Sequence, residues 1–149
     1  MKYVSNSLEE TQKIADDFVA NISPNKDSAL VVGLYGNLGA GKTAFTKCIA
    51  EAFGIEETVT SPTFVIEKIY ELTSENFTHL IHIDAYRLEK SEELVNLGWQ
   101  KIISDPKNLI LIEWPERVAD IMPEHIRVNL KALEKEYSHE IEIVSLKMV

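Results

Sequence analysis

The chain has 149 residues, 45% of them hydrophobic, and carries a formal net charge of −9. This length and apolar content fit one well-formed core, so we expect a single domain over residues 1–149. The acidic balance disfavours a broad surface for nucleic acid, because neutralising phosphates requires clustered Lys and Arg. With one cysteine, Cys48, and no zinc-binding spacing among the four histidines, we expect neither a disulfide nor zinc.

No segment has the apolar run of a secretion signal or approaches the length of a transmembrane helix. We therefore expect a cytoplasmic protein that does not associate with a membrane.

The first half of the chain predicts a helix, a strand and a second helix. A capping box that begins at Ser7 and apolar residues at helical spacing predict a helix from about Leu8 to about Ile22. The nearly continuous apolar run Ala29–Tyr35 predicts a strand covered on both faces, as in a parallel sheet. After a glycine-rich turn, an apolar helical face recurs until Gly54, which could end the helix.

The second half predicts more strands and one helical region, between Ser91 and Ile103. The strands are expected at Phe64–Leu72, Leu80–Asp84, Leu109–Glu113, Ile126–Leu130 and Ile141–Leu146. The last two strands follow each other without a long crossover, which favours an antiparallel pair. The pattern predicts an α/β fold of three layers, with a mixed, mostly parallel central sheet flanked by helices.

The turn between the first strand and the second helix carries the motif G-x-x-x-x-G-K-[ST], from Gly36 to Thr43. In this context, after a buried strand and opening a helix, the motif predicts a P-loop and hence a P-loop NTPase fold that binds ATP and Mg²⁺. Backbone N–H groups of the loop would surround the phosphates at the positive end of the helix. Lys42 would reach the β- and γ-phosphates and the Thr43 hydroxyl would ligate magnesium. The predicted nucleotide contacts are Asn37, Leu38, Gly39, Ala40, Gly41, Lys42 and Thr43.

Two predicted strands end in a carboxylate, Asp84 and Glu113. P-loop proteins place an acid in this way beside the metal and the attacking water. From the residues alone, either acid could hold magnesium while the other orients water or supports the metal shell. With Lys42, these acids are the predicted catalytic residues.

Other residues near these motifs carry weaker signals. Ser61 or Thr63 lies where many P-loop proteins have a switch segment that senses the γ-phosphate, although a simple proline turn is the alternative. Trp114 directly follows Glu113, so its ring lies near the nucleotide or packs over the core. For His82, a hydrogen-bonded core role is favoured over a catalytic one. Arg87 is the best placed of the three arginines, three residues beyond Asp84, but a structural ion pair is its favoured role.

Taken together, these motifs resemble the TsaE family, also called YjeE, over about residues 7 to 130. The residues that carry the resemblance are the P-loop, Ser61-Pro62-Thr63-Phe64, His82-Ile83-Asp84-Ala85-Tyr86-Arg87, Glu93-Leu94-Val95-Asn96-Leu97-Gly98 and Glu113-Trp114. The resemblance implies a bacterial Mg²⁺-dependent ATPase required for threonylcarbamoyladenosine modification of tRNA. It implies docking on a complex of TsaD and TsaB, with tRNA reached only through that complex.

By the same resemblance, Lys42 binds phosphate, Thr43 and Glu113 coordinate magnesium, Asp84 supports hydrolysis and Trp114 lies near the nucleotide. One departure is an arginine that family members often place near the penultimate strand, which is replaced around Ser138-His139.

Two other functions are compatible with a P-loop. A small-molecule kinase would need several arginines on a mobile lid, and the chain has three arginines in all. A non-enzymatic nucleotide switch would differ mainly in its rate of hydrolysis. Because the sequence has no obvious arginine finger, we expect slow hydrolysis by the protein alone and faster turnover with its partners.

Overall fold

The computed structural model of the chain describes residues 1–55 and 67–145. In chain order, the strands are β1 (Lys2–Ser5), β2 (Leu30–Tyr35), β3 (Glu67–Glu71), β4 (His79–Asp84), β5 (Asn108–Glu113), β6 (Ile126–Ala132) and β7 (His139–Val144). The helices are α1 (Leu8–Asn21), α2 (Lys42–Ala52), α3 (Ser91–Val95) and α4 (Trp99–Ile103), with a 3₁₀ segment at Pro115–Ile121.

These strands form one seven-stranded sheet in the order β1-β7-β6-β2-β5-β4-β3. The four central strands β6, β2, β5 and β4 run parallel to one another. The outer strands are antiparallel to their neighbours: β3 pairs with β4, and β7 lies between β6 and β1. The predicted mixed sheet with a mostly parallel centre is therefore confirmed.

Helices cover the sheet on both faces, which gives the three predicted layers. Helices α1 and α2 pack on one face in a core cluster with Val32, Leu34, Leu109 and Leu111. Helices α3 and α4 and the 3₁₀ segment cover the other face, packing around Trp99, Val31, Ile110 and Ile112. Consecutive residues of β2 and β5 thus enter different core clusters, which explains why both strands read as continuous apolar runs.

Most predicted boundaries agree with the structure to within a few residues. Residues 64–66 of the predicted strand Phe64–Leu72 lie outside the described residues, and β3 covers Glu67–Glu71. The predicted helical region is two short helices, because Gly98 adopts a φ of 90° between them. The sequence did not predict β1 or the 3₁₀ segment.

The structure also explains the segment from Glu93 to Gly98. The Glu93 carboxylate accepts hydrogen bonds from the backbone N–H groups of Glu89, at 2.8 Å, and Lys90, at 3.3 Å. Leu94 is fully buried in the second core cluster. Glu93 therefore caps the start of α3, Leu94 packs α3 into the core, and Gly98 separates it from α4. The motif has these structural roles in the fold.

Candidate functional site

The candidate site lies where the parallel strands β2, β5 and β4 end. Since neighbouring parallel strands point the same way, the residues that follow them meet at one edge of the sheet, where open α/β proteins bind ligands. Asp84 pairs in register with Glu113, and Glu113 pairs with Leu34 near the end of β2. The P-loop follows β2 directly, so this register brings both predicted acids next to it.

The P-loop backbone is shaped by glycines with positive φ. Gly36, Gly39 and Gly41 have φ values of 153°, 81° and 100°. A β-carbon on Gly36 would lie 2.5 Å from the Leu130 carbonyl oxygen, so β6 approaches the loop too closely for a side chain there. Gly41 is the residue that precedes α2, as the motif predicted.

Lys42 is buried within this loop, with 6% of its surface exposed. Its ammonium donates a hydrogen bond to the Gly36 carbonyl oxygen and lies 3.6 Å from the centre of the Trp114 ring. Burial lowers the pKa of Lys42 below its ordinary value, while the charges of Glu113, Glu116 and Asp84 act in the opposite direction. Burial outweighs these charges, so the surroundings of Lys42 disfavour its charged form relative to water.

Trp114 reaches Lys42 because its backbone is left-handed, with φ 58° and ψ 48°. A left-handed conformation is uncommon for a bulky residue and marks a site of local strain. The indole packs partly against the second core cluster, and its ring centre is 5.0 Å from that of Tyr86. Trp114 thus contacts both the core and Lys42 of the P-loop.

Glu113 connects the P-loop helix to the sheet. It is 3% exposed, and its two carboxylate oxygens have different partners. Oε1 accepts a long hydrogen bond from the Thr43 hydroxyl at 3.5 Å, and Oε2 lies 2.6 Å from Nε2 of the fully buried His82. The sequence favoured a hydrogen-bonded core histidine over a catalytic one at position 82; the structure shows that His82 is buried and hydrogen-bonded, and it identifies Glu113, which the sequence did not, as the partner.

Asp84 lies beside Glu113 at the end of β4 and is partly buried. One of its carboxylate oxygens accepts a hydrogen bond from the backbone N–H of Tyr86 at 3.0 Å. This bond begins the turn by which the chain leaves the sheet. It fixes the direction of the side chain before any ligand binds.

The hairpin between β6 and β7 borders the P-loop, which the sequence did not predict. The imidazole of His139 lies 3.2 Å from where a β-carbon of Gly41 would be. The neighbouring Ser138 is buried, and its hydroxyl donates to the Asn6 side-chain oxygen at 2.7 Å. The signal that the sequence offered was the departure from the family pattern at these two positions.

Some predictions fall elsewhere. Ser61 and Thr63 lie outside the described residues. Two cavities of about 610 and 430 Å³ include Leu30, at the amino end of β2, so both lie away from the P-loop. Within residues 1–55 and 67–145, no helix is both long and apolar enough to cross a membrane.

The donor atoms at this edge suit magnesium better than a transition metal. Thr43 and Glu113 offer oxygen atoms, and Mg²⁺ is usually held by one or two protein oxygens together with phosphates and water. No three or more His, Cys, Asp or Glu side chains of the described residues are grouped to hold a metal ion. A complete metal cage made of such side chains is therefore absent from this part of the protein.

Comparisons with known proteins agree with this architecture. A family model described as "Threonylcarbamoyl adenosine biosynthesis protein TsaE" matches residues 5–141. A protein of Rickettsia conorii described as "tRNA threonylcarbamoyladenosine biosynthesis protein TsaE" is 42% identical over 131 residues, covering 87% of this chain and 70% of its own length. A protein of Bacillus subtilis with the same description is 36% identical over 132 residues, covering 88% and 77%.

The crystal structure of Bacillus subtilis YdiB is similar, with a TM-score of 0.75 and 29% sequence identity, covering 98% of this chain and 85% of that one. The family model and these relatives span most of the chain. The chain therefore belongs to the TsaE family.

Proposed function

We propose that this protein is a magnesium-dependent ATPase required for threonylcarbamoyladenosine modification of tRNA. The observation that carries the proposal is the convergence of a P-loop lysine, a P-loop threonine and two strand-end carboxylates at one edge of the sheet. Membership of the TsaE family supports the biosynthetic role, since its relatives carry that description.

In this proposal the P-loop binds the phosphates of ATP. Backbone N–H groups from Asn37 to Thr43 face the phosphates at the start of α2, where the helix dipole is positive. Lys42 exchanges the Gly36 carbonyl and the Trp114 ring for the β- and γ-phosphate oxygens. Because burial disfavours its charge, anionic oxygens are better partners for it than a neutral carbonyl and a ring.

Magnesium would be held by Thr43 and Glu113, whose oxygens already lie 3.5 Å apart. When bound, the metal neutralises charge that develops on the transferred phosphoryl group. Asp84, which is next to Glu113 in the sheet, would orient the attacking water. We further propose that Ser61 or Thr63 senses the γ-phosphate.

The proposed partners are TsaD and TsaB, and tRNA is contacted only through their complex. The net charge of −9 supports this division, because it is unfavourable for direct binding to a phosphate backbone. We propose a cytoplasmic, single-domain protein whose hydrolysis is slow alone and rises in the complex.

A test combines nucleotide binding with turnover. Trp114 fluorescence is followed as Mg·ATP is added, and phosphate release is measured with and without TsaD and TsaB. We expect a Trp114-dependent signal, slow release that rises with the partners, and no signal from a Lys42→Ala variant. The Trp114→Phe variant is the matched control, because the remaining Trp99 is fully buried and its indole N–H is bonded to the Ile121 carbonyl at 3.2 Å.

The acids are tested by Asp84→Asn and Glu113→Gln. Both should impair hydrolysis more than nucleotide binding, because Lys42 and the loop backbone still hold the phosphates. Wild-type turnover in both variants would contradict the assigned roles. Binding without measurable hydrolysis, even with TsaD and TsaB, would instead indicate a nucleotide switch, and phosphate transfer to a metabolite would indicate a kinase.

A further inference from the structure

We propose that His82 is a positioning residue that orients the Glu113 carboxylate for magnesium. The inference rests on the proposed function, in which Glu113 is a magnesium ligand. It assigns a role to the histidine of the segment His82-Ile83-Asp84, which has no part in the function proposed above.

The geometry carries the proposal. His82 Nε2 lies 2.6 Å from Glu113 Oε2, and both side chains are almost completely buried. In the proposed magnesium-bound state Glu113 is a carboxylate with no proton to donate, so the arrangement requires Nε2 to carry the hydrogen and donate it. The bond occupies Oε2 and leaves Oε1 on the side of Thr43, at 3.5 Å from its hydroxyl.

The rest of the imidazole argues against a purely structural network. Its Nδ1 atom is buried and has no hydrogen-bond partner among the described residues. The bond to Glu113 is thus the one polar contact of the ring in this part of the protein. Between the core residues Ile81 and Ile83, an apolar side chain would avoid the unpaired Nδ1 atom, but it would leave the buried Oε2 of Glu113 without this donor.

Sheet register explains why the position is suited to this task. His82 pairs with Leu111 and Asp84 pairs with Glu113, so His82 and Glu113 are diagonal neighbours on the face of the sheet that α2 covers. Both residues lie on central parallel strands, which hold the bond rigidly. Partners that orient a metal ligand in this way commonly contribute 10–100-fold to metal affinity.

The test separates magnesium binding from nucleotide binding. ADP binding is measured by calorimetry in EDTA and over a series of Mg²⁺ concentrations. We expect His82→Leu to raise the Mg²⁺ concentration that gives half of the Mg²⁺ effect on ADP binding by about 10–100-fold. The affinity for ADP in EDTA should be unchanged. His82→Gln should stay close to wild type, because its amide nitrogen can replace Nε2 as the donor.

Leu80→Ala is the matched control for loss of core packing. Leu80 is fully buried on the same strand and the same face, two residues before His82. This variant should lose stability and keep the wild-type Mg²⁺ dependence. If His82→Leu does not fold, His82→Gln still tests the proposal. A folded Gln variant that needs a much higher Mg²⁺ concentration for half of the effect on ADP binding would overturn it.

Wild-type Mg²⁺ dependence in His82→Leu, or an equal shift in Leu80→Ala, would also overturn it. Both results leave ADP binding by the wild-type protein intact, so they refute the positioning role alone. A wild-type protein that binds no ADP at all refutes the proposed function and this inference with it.

Discussion

Among the glycines of the P-loop, we expect replacement by alanine to lower the stability of the protein most at Gly36. The new β-carbon would lie 2.5 Å from the Leu130 carbonyl oxygen and 2.9 Å from the Ala40 β-carbon. Leu130 is paired with Ile141 in the sheet, so its carbonyl cannot move without disturbing β6 and β7. If the new β-carbon moved away from Leu130 instead, it would displace the P-loop itself.

The expected magnitude follows from two costs. The φ of 153° at Gly36 lies in a region that is essentially restricted to glycine and costs an alanine about 1–3 kcal/mol, and overpacking against fixed neighbours adds about 1–3 kcal/mol. The free energy of unfolding should therefore fall by about 2–6 kcal/mol, which a domain with a stability of about 10 kcal/mol survives. Affinity for Mg·ATP should fall as well, because the displaced loop includes Ala40.

Gly54→Ala is the matched control, since Gly54 has a φ of 78° and nothing within 4 Å of a new β-carbon. It should lose about 1–2 kcal/mol from the backbone alone. Urea unfolding of both variants measures the difference, which we expect to be about 1–3 kcal/mol. Equal losses in the two variants, or wild-type Mg·ATP affinity in Gly36→Ala, would refute the close approach of β6 to the loop.

Three further predictions concern Lys42, Cys48 and Trp114. Lys42→Met should abolish Mg·ATP binding and yet raise the unfolding free energy at neutral pH, because burial penalises the charged lysine in the folded state and lowers its pKa. The penalty on the charged form is full below the folded pKa and fades as pH rises toward the ordinary value of 10.5, so urea unfolding should find that this gain shrinks at alkaline pH. Burial raises the pKa of the Cys48 thiol from an ordinary value of 9.0 to about 11, so thiol labelling at pH 7.5 should be roughly 100-fold slower than for a free cysteine; labelling at the free rate in folded protein would contradict this. Trp114→Gly should be more stable than Trp114→Ala by about 1 kcal/mol in thermal unfolding, since glycine relieves the left-handed backbone, and the reverse order would show that the backbone there is unstrained.

The centre of the fold could be predicted from the sequence because its strands are continuous apolar runs. Runs such as Leu109–Glu113 are apolar throughout and end in a carboxylate, which indicates both a strand covered on two faces and its carboxyl end. Strand β1 could not be predicted in this way. It has four residues, of which only Ser5 is buried, so it carries neither an apolar run nor an alternating pattern.

The partners within the candidate site could not be predicted, because they depend on register. His82 and Glu113 are 31 residues apart, and their contact requires β4 and β5 to pair without a shift. The same holds for His139 and Gly41, which the β6–β7 hairpin brings together. Motifs identified these residues one at a time, and the sheet decides which of them touch.

Trp114 illustrates how a strained backbone can serve a P-loop. If the residue after Glu113 had continued the strand, its side chain would have pointed to the opposite face of the sheet from Glu113. With the left-handed turn, the indole still packs partly against the second core cluster on that face and also lies over the Lys42 ammonium. Within residues 1–55 and 67–145, the close partners of the Lys42 ammonium are the Trp114 ring and the Gly36 carbonyl, in surroundings that lower its pKa. On the proposed function, this arrangement favours phosphate binding, because an anionic oxygen stabilises the buried ammonium more than either partner does.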